Sequence, residues 1–240
     1  MNKSFAAKLK NILFIDIETA GIAPGFDELP QRLKPLWEHK AKIIDHTKNA
    51  QDLYNEKAGI YAEFGKIIVI GIGYLYIAEN GEPMLKTKTI YSDNEHDILI
   101  EFKNIVQKYP PDSLQLCAHN GKEFDFPYIA RRMLIHGIAL PEVLQTANKK
   151  PWEITHIDTL EMWKFGDWKS YTSLELLAAI FEIPTSKYDI DGSKVHEYYY
   201  VHQDLQKIAE YCAKDVVVLA QLYLKMNIQN TVSEANIINT

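Results

Sequence analysis

The strongest pattern near the start of the chain is Asn11-Ile12-Leu13-Phe14-Ile15-Asp16-Ile17-Glu18, an apolar run broken only near its end by two acids. Runs of this kind read as central strands buried on both faces. Gly21 to Glu63 follows, with Pro24, Pro30 and Pro35 early and helix-compatible residues later. That stretch is too long for a plain loop and predicts a helical insertion over about residues 22–63. Lys66–Ile77, rich in Ile and holding Gly71 and Gly73, reads as a second strand. The turn Asn80-Gly81-Glu82-Pro83 then leads to a third at Leu85–Tyr91, which predicts an antiparallel hairpin.

Beyond the hairpin, helix and strand alternate. An amphipathic helix is expected from about Asp93 to Tyr109, stopped by Pro110-Pro111, and Leu114–Ala118 is a short fourth strand. A helix from about Phe124 to His136 closes at Gly137. Ile154–Ile157 reads as a fifth strand, with Asp158-Thr159 capping another helix. The pattern is helical from Thr172, with a polar loop around Ser186–Lys194 and a last long helix over about Gln203–Met226. These elements predict an α/β fold: a mixed five-stranded sheet with a three-stranded antiparallel portion and helices on both faces. No repeat or linker divides the chain, so residues 1–240 are expected to form one domain.

Composition narrows the function classes. The chain has 240 residues, 47% of them hydrophobic and 24% charged, which fits a globular protein and excludes a disordered one. Its formal net charge of −6 argues against a coat of positive charge around nucleic acid. It leaves room for an enzyme whose acids gather around metal ions. Cys117 and Cys212 match no zinc or redox spacing and read as reduced core thiols. No apolar run is long enough to span a membrane, and the residues after Met1 lack a signal-peptide core. The default expectation is a cytoplasmic protein with no membrane partner.

Three clusters carry candidate chemistry. Asp16 and Glu18, at i and i+2, point to one face of the first strand, roughly 6.5–7 Å apart along it. Buried together they repel unless a cation joins them, although a frayed strand end open to solvent would also explain them. Thr19-Ala20-Gly21 then leaves the carboxyl end of the strand open, the edge where ligands of α/β sheets collect. The second cluster, His119-Asn120-Gly121-Lys122-Glu123-Phe124-Asp125, sits between a strand end and a helix start. There Asp125 could equally stabilise the first turn, and Phe124 could belong to the core. In the third, Tyr211 and Asp215 at i and i+4 share a face of the last helix. A hydrogen-bonded Tyr–Asp pair, or a salt bridge to Lys214 or an arginine, would account for that acid without function.

Taken together, the clusters resemble the DEDD superfamily of 3′–5′ exonucleases, which have a ribonuclease H-like fold. Asp16-Ile17-Glu18 matches its Asp-x-Glu motif, Asn120-Gly-Lys-Glu-Phe124-Asp125 its second, and Tyr211-Cys-Ala-Lys-Asp215 the Tyr-x3-Asp motif of its tyrosine branch. The histidine branch would place His where Glu210 stands. Within the superfamily the chain is most similar to stand-alone exonucleases related to the proofreading domain of family-B DNA polymerases.

The resemblance implies a two-metal site for Mg²⁺ or Mn²⁺ held by Asp16, Glu18, Asp125 and Asp215. Asp16 would bridge the ions, Glu18 and Asp215 would hold the one carrying water, and Asp125 would serve the other. Tyr211 would orient the water, and Thr19, Asn120 and Phe124 would position the terminal nucleotide. It further implies hydrolysis of phosphodiester bonds at a single-stranded or frayed 3′ end, releasing nucleoside 5′-monophosphates, with DNA favoured over RNA. The competing readings are an RNA or oligoribonucleotide exonuclease and a non-catalytic binding module on a nuclease fold. At this length a polymerase does not fit beside the domain, so proofreading or repair would act with a partner in trans.

Lesser candidates each have a plain structural explanation. Asp158-Thr159 could be a helix cap, and His119 a strand-end residue rather than a base. Trp152, Trp163, Phe165 and Trp168, interleaved with Lys149, Lys150, Lys164 and Lys169, could stack bases and contact phosphates, or be core aromatics beside solvated lysines. Lys187 and Lys194 could touch a substrate backbone or be ordinary surface charge.

Overall fold

The computed structural model describes residues 3–110, 113–167, 171–185 and 191–240. Helix α1 (Lys3–Leu9) precedes β1 (Ile12–Gly21), and the insertion holds α2 (Lys34–Ile44) and α3 (Ala50–Lys57). Strands β2 (Gly65–Ile77) and β3 (Pro83–Tyr91) form the hairpin, followed by α4 (Glu95–Val106), β4 (Gln115–Ala118) and α5 (Asp125–Ile135). Next come β5 (Ile157–Asp158), α6 (Thr159–Lys164) and α7 (Leu174–Ile180). Helix α8 (Val195–Glu197) runs into a π-helical turn, Tyr198–His202, and α9 (Leu205–Met226) leads to β6 (Ile237–Asn239).

The sheet has six strands in the order β5-β4-β1-β2-β3-β6. Strands β1, β2 and β3 are antiparallel, while β4 pairs in parallel with β1 and with β5. The expected five-stranded sheet therefore gains a sixth strand. Gln221 produces it: its side chain accepts from Val232 N–H and donates to Val232 O, both at 2.8 Å, which folds the tail back after α9. Ile237–Asn239 then pairs with the open edge of β3. The fifth strand falls later than expected, at Ile157–Asp158, because Pro151–Glu153 is a turn of 3₁₀ helix just before it.

Alternation along β1 decides what faces what. Leu13, Ile15 and Ile17 pack with Ile98, Phe102 and Ile129 of α4 and α5 on one face. Ile12 and Phe14 point to the other, against Val216 and Leu219 of α9. Asp16 and Glu18 share that second parity and fall on the α9 face. The close approach of α9 depends on glycine. A Cβ on Gly71 would lie 2.7 Å from Val216 Cγ2 and 2.8 Å from Cys212 Sγ, and one on Gly73 2.7 Å from Val216 Cγ1.

The insertion makes a small core of its own, with Trp37 edge-on to Tyr54 at 5.3 Å and to Phe64 at 5.0 Å. A buried ion pair fixes its return to the sheet. Arg132 of α5 holds Glu95 of α4 through Nε–H···Oε1 (2.8 Å) and Nη2–H···Oε2 (2.5 Å), and Nη1 donates to Ala62 O (2.8 Å). Glu95 also accepts from Ile67 N–H (2.7 Å) and pairs with His136 Nε2 (2.8 Å). Replacing Arg132 by Met leaves that carboxylate buried without its cation. We expect Arg132→Met to cost about 3–5 kcal/mol, read as a lower midpoint in urea; an unchanged midpoint would show that the pair does not hold this joint.

Candidate active site

Asp16 is half-buried on β1 and Glu18 only 7% exposed. Both pKa values are raised well above the usual carboxylate range. Burial is the first cause for each; for Asp16 the charges of Asp215 and Asp125 follow, and for Glu18 those of Asp16, Asp215 and Asp125. The mutual repulsion places the four acids in one cluster. Asp16 has a hydrogen bond from the Cys212 thiol, at 3.4 Å to Oδ2. The Glu18 carboxylate has no hydrogen-bond or ion-pair partner among the described residues.

Asp125 opens α5 and is 4% exposed. Its Oδ1 accepts from Ile17 N–H at 3.2 Å, which ties the helix start to the middle of β1 between the two strand acids. Burial pushes its pKa up to about 7 despite the backbone N–H donors that lower it. First-turn stabilisation accounts for Asp125 only in part, since its side chain reaches across to β1. Asp215 is half-buried on α9 and hydrogen-bonds Tyr211, the local pair expected at i, i+4. Burial, then the charges of Asp215, Glu18 and Asp16, drives the Tyr211 pKa far above its ordinary value. At neutral pH this hydroxyl is a hydrogen-bond donor and not a base.

The supporting backbone is held at three points. A register shift between Glu18 and Thr19 marks a bulge in β1, a device that re-aims side chains at a strand end. Past the bulge, Thr19 Oγ1 donates to Gly59 O at 2.8 Å, so its hydroxyl braces the insertion. Gly21 is gripped on both sides: its N–H donates to His196 Nδ1 (3.1 Å) and its carbonyl accepts from Tyr200 Oη (2.7 Å). Asp158, 3% exposed, does more than cap α6. It accepts from Asn120 N–H (2.9 Å) and Lys122 N–H (3.1 Å) as well as Leu160 N–H (2.9 Å). It thus shapes the loop that delivers Asp125, with Asn120 at φ 64°.

Of the expected substrate residues, Asn120 is half-buried and its amide makes no hydrogen bond among the described residues. Phe124 packs on Tyr128 at 5.3 Å and against the core, so packing is at least part of its role. His119 has no free ring nitrogen: Nε2 donates to Thr172 O (2.8 Å), leaving Nδ1 to accept from the Thr159 hydroxyl (2.9 Å). Burial lowers its pKa, as befits a strand-end brace. Of the aromatic run, Trp163 packs on Phe181 (5.8 Å), while Trp152 and Phe165 are exposed. Trp168, Lys169 and Lys187 lie outside the described residues. Lys194 ends a short 3₁₀ turn.

Tyr171 was not singled out from the sequence, and Cys212 was read there only as a core thiol. Tyr171 is 67% exposed and its ring meets His119 at 6.2 Å; burial and then the charges of Asp125, Asp16 and Asp158 raise its pKa. Its place beside the acids depends on the fold alone. Cys212 had a readable signal, because it lies three residues before Asp215 on the same helix face. A cleft of about 660 Å³ lined by Tyr109, Leu114, Val143 and His156 includes none of the four acids.

The arrangement suits hard divalent cations, since it offers carboxylate oxygens and no histidine. A buried acid with no partner beside three others is what such an ion would answer. A family model described as a predicted 3′–5′ exonuclease related to the exonuclease domain of PolB matches residues 61–239. Among solved structures, the family B DNA polymerase from the hyperthermophilic archaeon Pyrobaculum calidifontis superposes with a TM-score of 0.52 at 14% identity, over 90% of this chain and 25% of that one. The chain thus spans about a quarter of the structure it matches. With the sheet order, this likeness shows a ribonuclease H-like α/β fold. No described helix is long and apolar enough to cross a membrane.

Raised carboxylate pKa values have a measurable consequence. Between the unfolded value, about 4, and the raised native one, the native state binds more protons, so stability falls as pH rises. For Asp125 the window closes at about 7, and for Asp16 and Glu18 the loss also runs upward from the ordinary carboxylate range. His119, His156 and His196, lowered by burial, act in the opposite sense. The comparison is therefore with Asp16→Asn. In EDTA, Asp16→Asn should gain melting temperature relative to the unsubstituted protein as pH rises from about 5 to about 8, and saturating Mn²⁺ should reverse the gap. A gap independent of pH in EDTA would refute the repulsive cluster.

Proposed function

The chain belongs to the family of predicted 3′–5′ exonucleases related to the exonuclease domain of PolB, and from that membership we propose that it removes nucleotides from the 3′ end of single-stranded or frayed DNA. Asp16, Glu18, Asp125 and Asp215 would hold two Mg²⁺ or Mn²⁺ ions, and Tyr211, four residues before Asp215, supports a place in the tyrosine branch of such nucleases. The observation that carries this reading is the convergence of the four acids with Glu18 buried and unpartnered. When bound, divalent ions supply an activated water and charge to stabilise the departing 3′ oxygen.

The chain's own residues do the rest. Tyr211, kept protonated by burial and by its acidic neighbours, is a fixed donor that can orient water or a phosphate oxygen. Asn120 presents an uncommitted amide in the loop that leads into Asp125, suited to the last nucleotide. Tyr171 offers an exposed ring on the same edge, and a ring there can stack a base at a gain of about 1–3 kcal/mol. Thr19 acts through the backbone at Gly59 and positions the strand end.

The test incubates protein and Mg²⁺ with 5′-labelled single-stranded DNA and RNA of one sequence, each also with a blocked 3′ end. We expect a descending ladder on DNA, weaker on RNA, and none with EDTA or the block. Preference for RNA would change the substrate class, and no ladder on either would overturn the reading. Asp16→Asn and Asp215→Asn should abolish the ladder with circular dichroism unchanged; an active, folded double variant would refute the assignment. Tyr211→Phe should lower kcat by about 10–100-fold, the scale for losing an orienting group at a metal site, and an effect on KM alone would argue against that role.

A further inference from the structure

The acids do not close the site by themselves. One carboxylate oxygen each from Asp16 and Glu18 and the Cys212 sulfur lie within 4.8 Å of one another, and among the described residues this is the group able to surround an ion. Cys212 is fully buried, with Sγ 3.4 Å from Asp16 Oδ2 and 3.5 Å from Asp16 O. Gly71 leaves the space it fills. Independently, Glu18 is 7% exposed, has no partner among the described residues, and aims its oxygen into the same group.

We propose that Asp16, Glu18 and Cys212 form a mixed oxygen–sulfur site that binds a thiophilic divalent cation, Zn²⁺ or Cd²⁺, in competition with the hard ion. The proposal rests on reading Asp16 and Glu18 as a cation centre and adds the thiol to it. Two carboxylate oxygens and a thiolate, with water as fourth ligand, match the donors tetrahedral Zn²⁺ accepts. Ligands at Zn–O and Zn–S distances of about 2.0–2.3 Å stand about 3.5 Å apart, a separation that Cys212 Sγ and Asp16 Oδ2 already have at 3.4 Å, so the remaining closure is about an ångström at most. The thiol proton leaves to solvent on binding, and the thiolate replaces its hydrogen bond to Asp16 with a bond to the metal. Such an ion would occupy Asp16 and Glu18 with a geometry unsuited to Mg²⁺, which makes the centre open to inhibition by soft metals. Cys117, also buried, belongs to no such group among the described residues and serves as the control.

The experiment titrates the EDTA-treated full chain with Cd²⁺. A thiolate-to-cadmium charge-transfer band should appear in the ultraviolet for the unsubstituted protein and Cys117→Ser, and be absent in Cys212→Ser. Calorimetry should show Cd²⁺ bound at least about tenfold more weakly by Cys212→Ser, with Mn²⁺ affinity little changed. If Cys212→Ser fails to fold, ¹¹³Cd NMR of the unsubstituted protein decides, because its shift separates a sulfur-containing ligand set from an all-oxygen one. Mn²⁺ binding without a thiolate band, or a band that survives Cys212→Ser, would overturn the proposal. A Cys212-dependent band in a protein with no nuclease activity would support this site while sinking the nuclease reading.

Discussion

The rest of this structure depends on holding four carboxylates together under α9. Two are fixed by β1, which cannot relax without giving up its pairing on both sides. The groups that shift Asp16 and Glu18 are other acids and a thiol, with no lysine or arginine among them. Removing an ion from water costs several kcal/mol even after relaxation. Apolar burial must offset that. Val216, Leu219, Leu222 and Leu224 of α9 are each buried, and their burial is part of what holds the cluster closed. Protonation is the remaining relief in the metal-free protein, and it accounts for the direction in which Asp16, Glu18 and Asp125 are shifted.

Two features outside the cluster follow from that need. Glycines at Gly71 and Gly73 let α9 sit close enough for its acid to reach the strand acids. The Asp158 hub then bends the loop after β4 so that Asp125 enters from the opposite side, pinned by Ile17 N–H. Neither chain segment could make this arrangement alone. Helix and loop bring their acids to β1 from different layers of the fold.

Much of this was legible because local pattern and tertiary fate agree. A strand buried on both faces announces itself by continuous apolar residues, and β1, β2 and β3 fell within two residues of expectation at each strand end except the C-terminal end of β1, which runs three residues farther, to Gly21. Asp16, Glu18 and Asp215 were visible because acids among apolar residues need an explanation, whereas Asp125 was visible only through the resemblance of the three motifs taken together. What escaped depends on distant partners. β6 is three residues long and exists because the Gln221 side chain turns the tail back. The π turn over Tyr198–His202 has no sequence period of its own and is stabilised by contacts to Gly21, Lys66 and Asp93. Asp158 read as a cap, which it is, but its larger task is in the loop after β4, reached only through the pairing of β4 with β5. Tyr171 belongs to no motif and only packing gives it neighbours, while Cys212 shares a helix face with Asp215 but meets Asp16 only through the packing of α9 on β1.

The balance of charge around the cluster bears on how a polyanion could be held. Lys122 is bound to Glu161 at 2.6 Å, and Lys66 donates to Tyr199, which donates to Asp93. These cations near the strand ends already have acidic or phenolic partners, and the chain as a whole is negative at −6. A phosphate backbone approaching four acids therefore meets repulsion unless divalent ions invert the local sign. The proposed substrate grip then depends on metal and on stacking more than on lysine. Such a grip would be short-ranged and confined to the strand end, which suits the removal of terminal nucleotides better than tight binding along a strand.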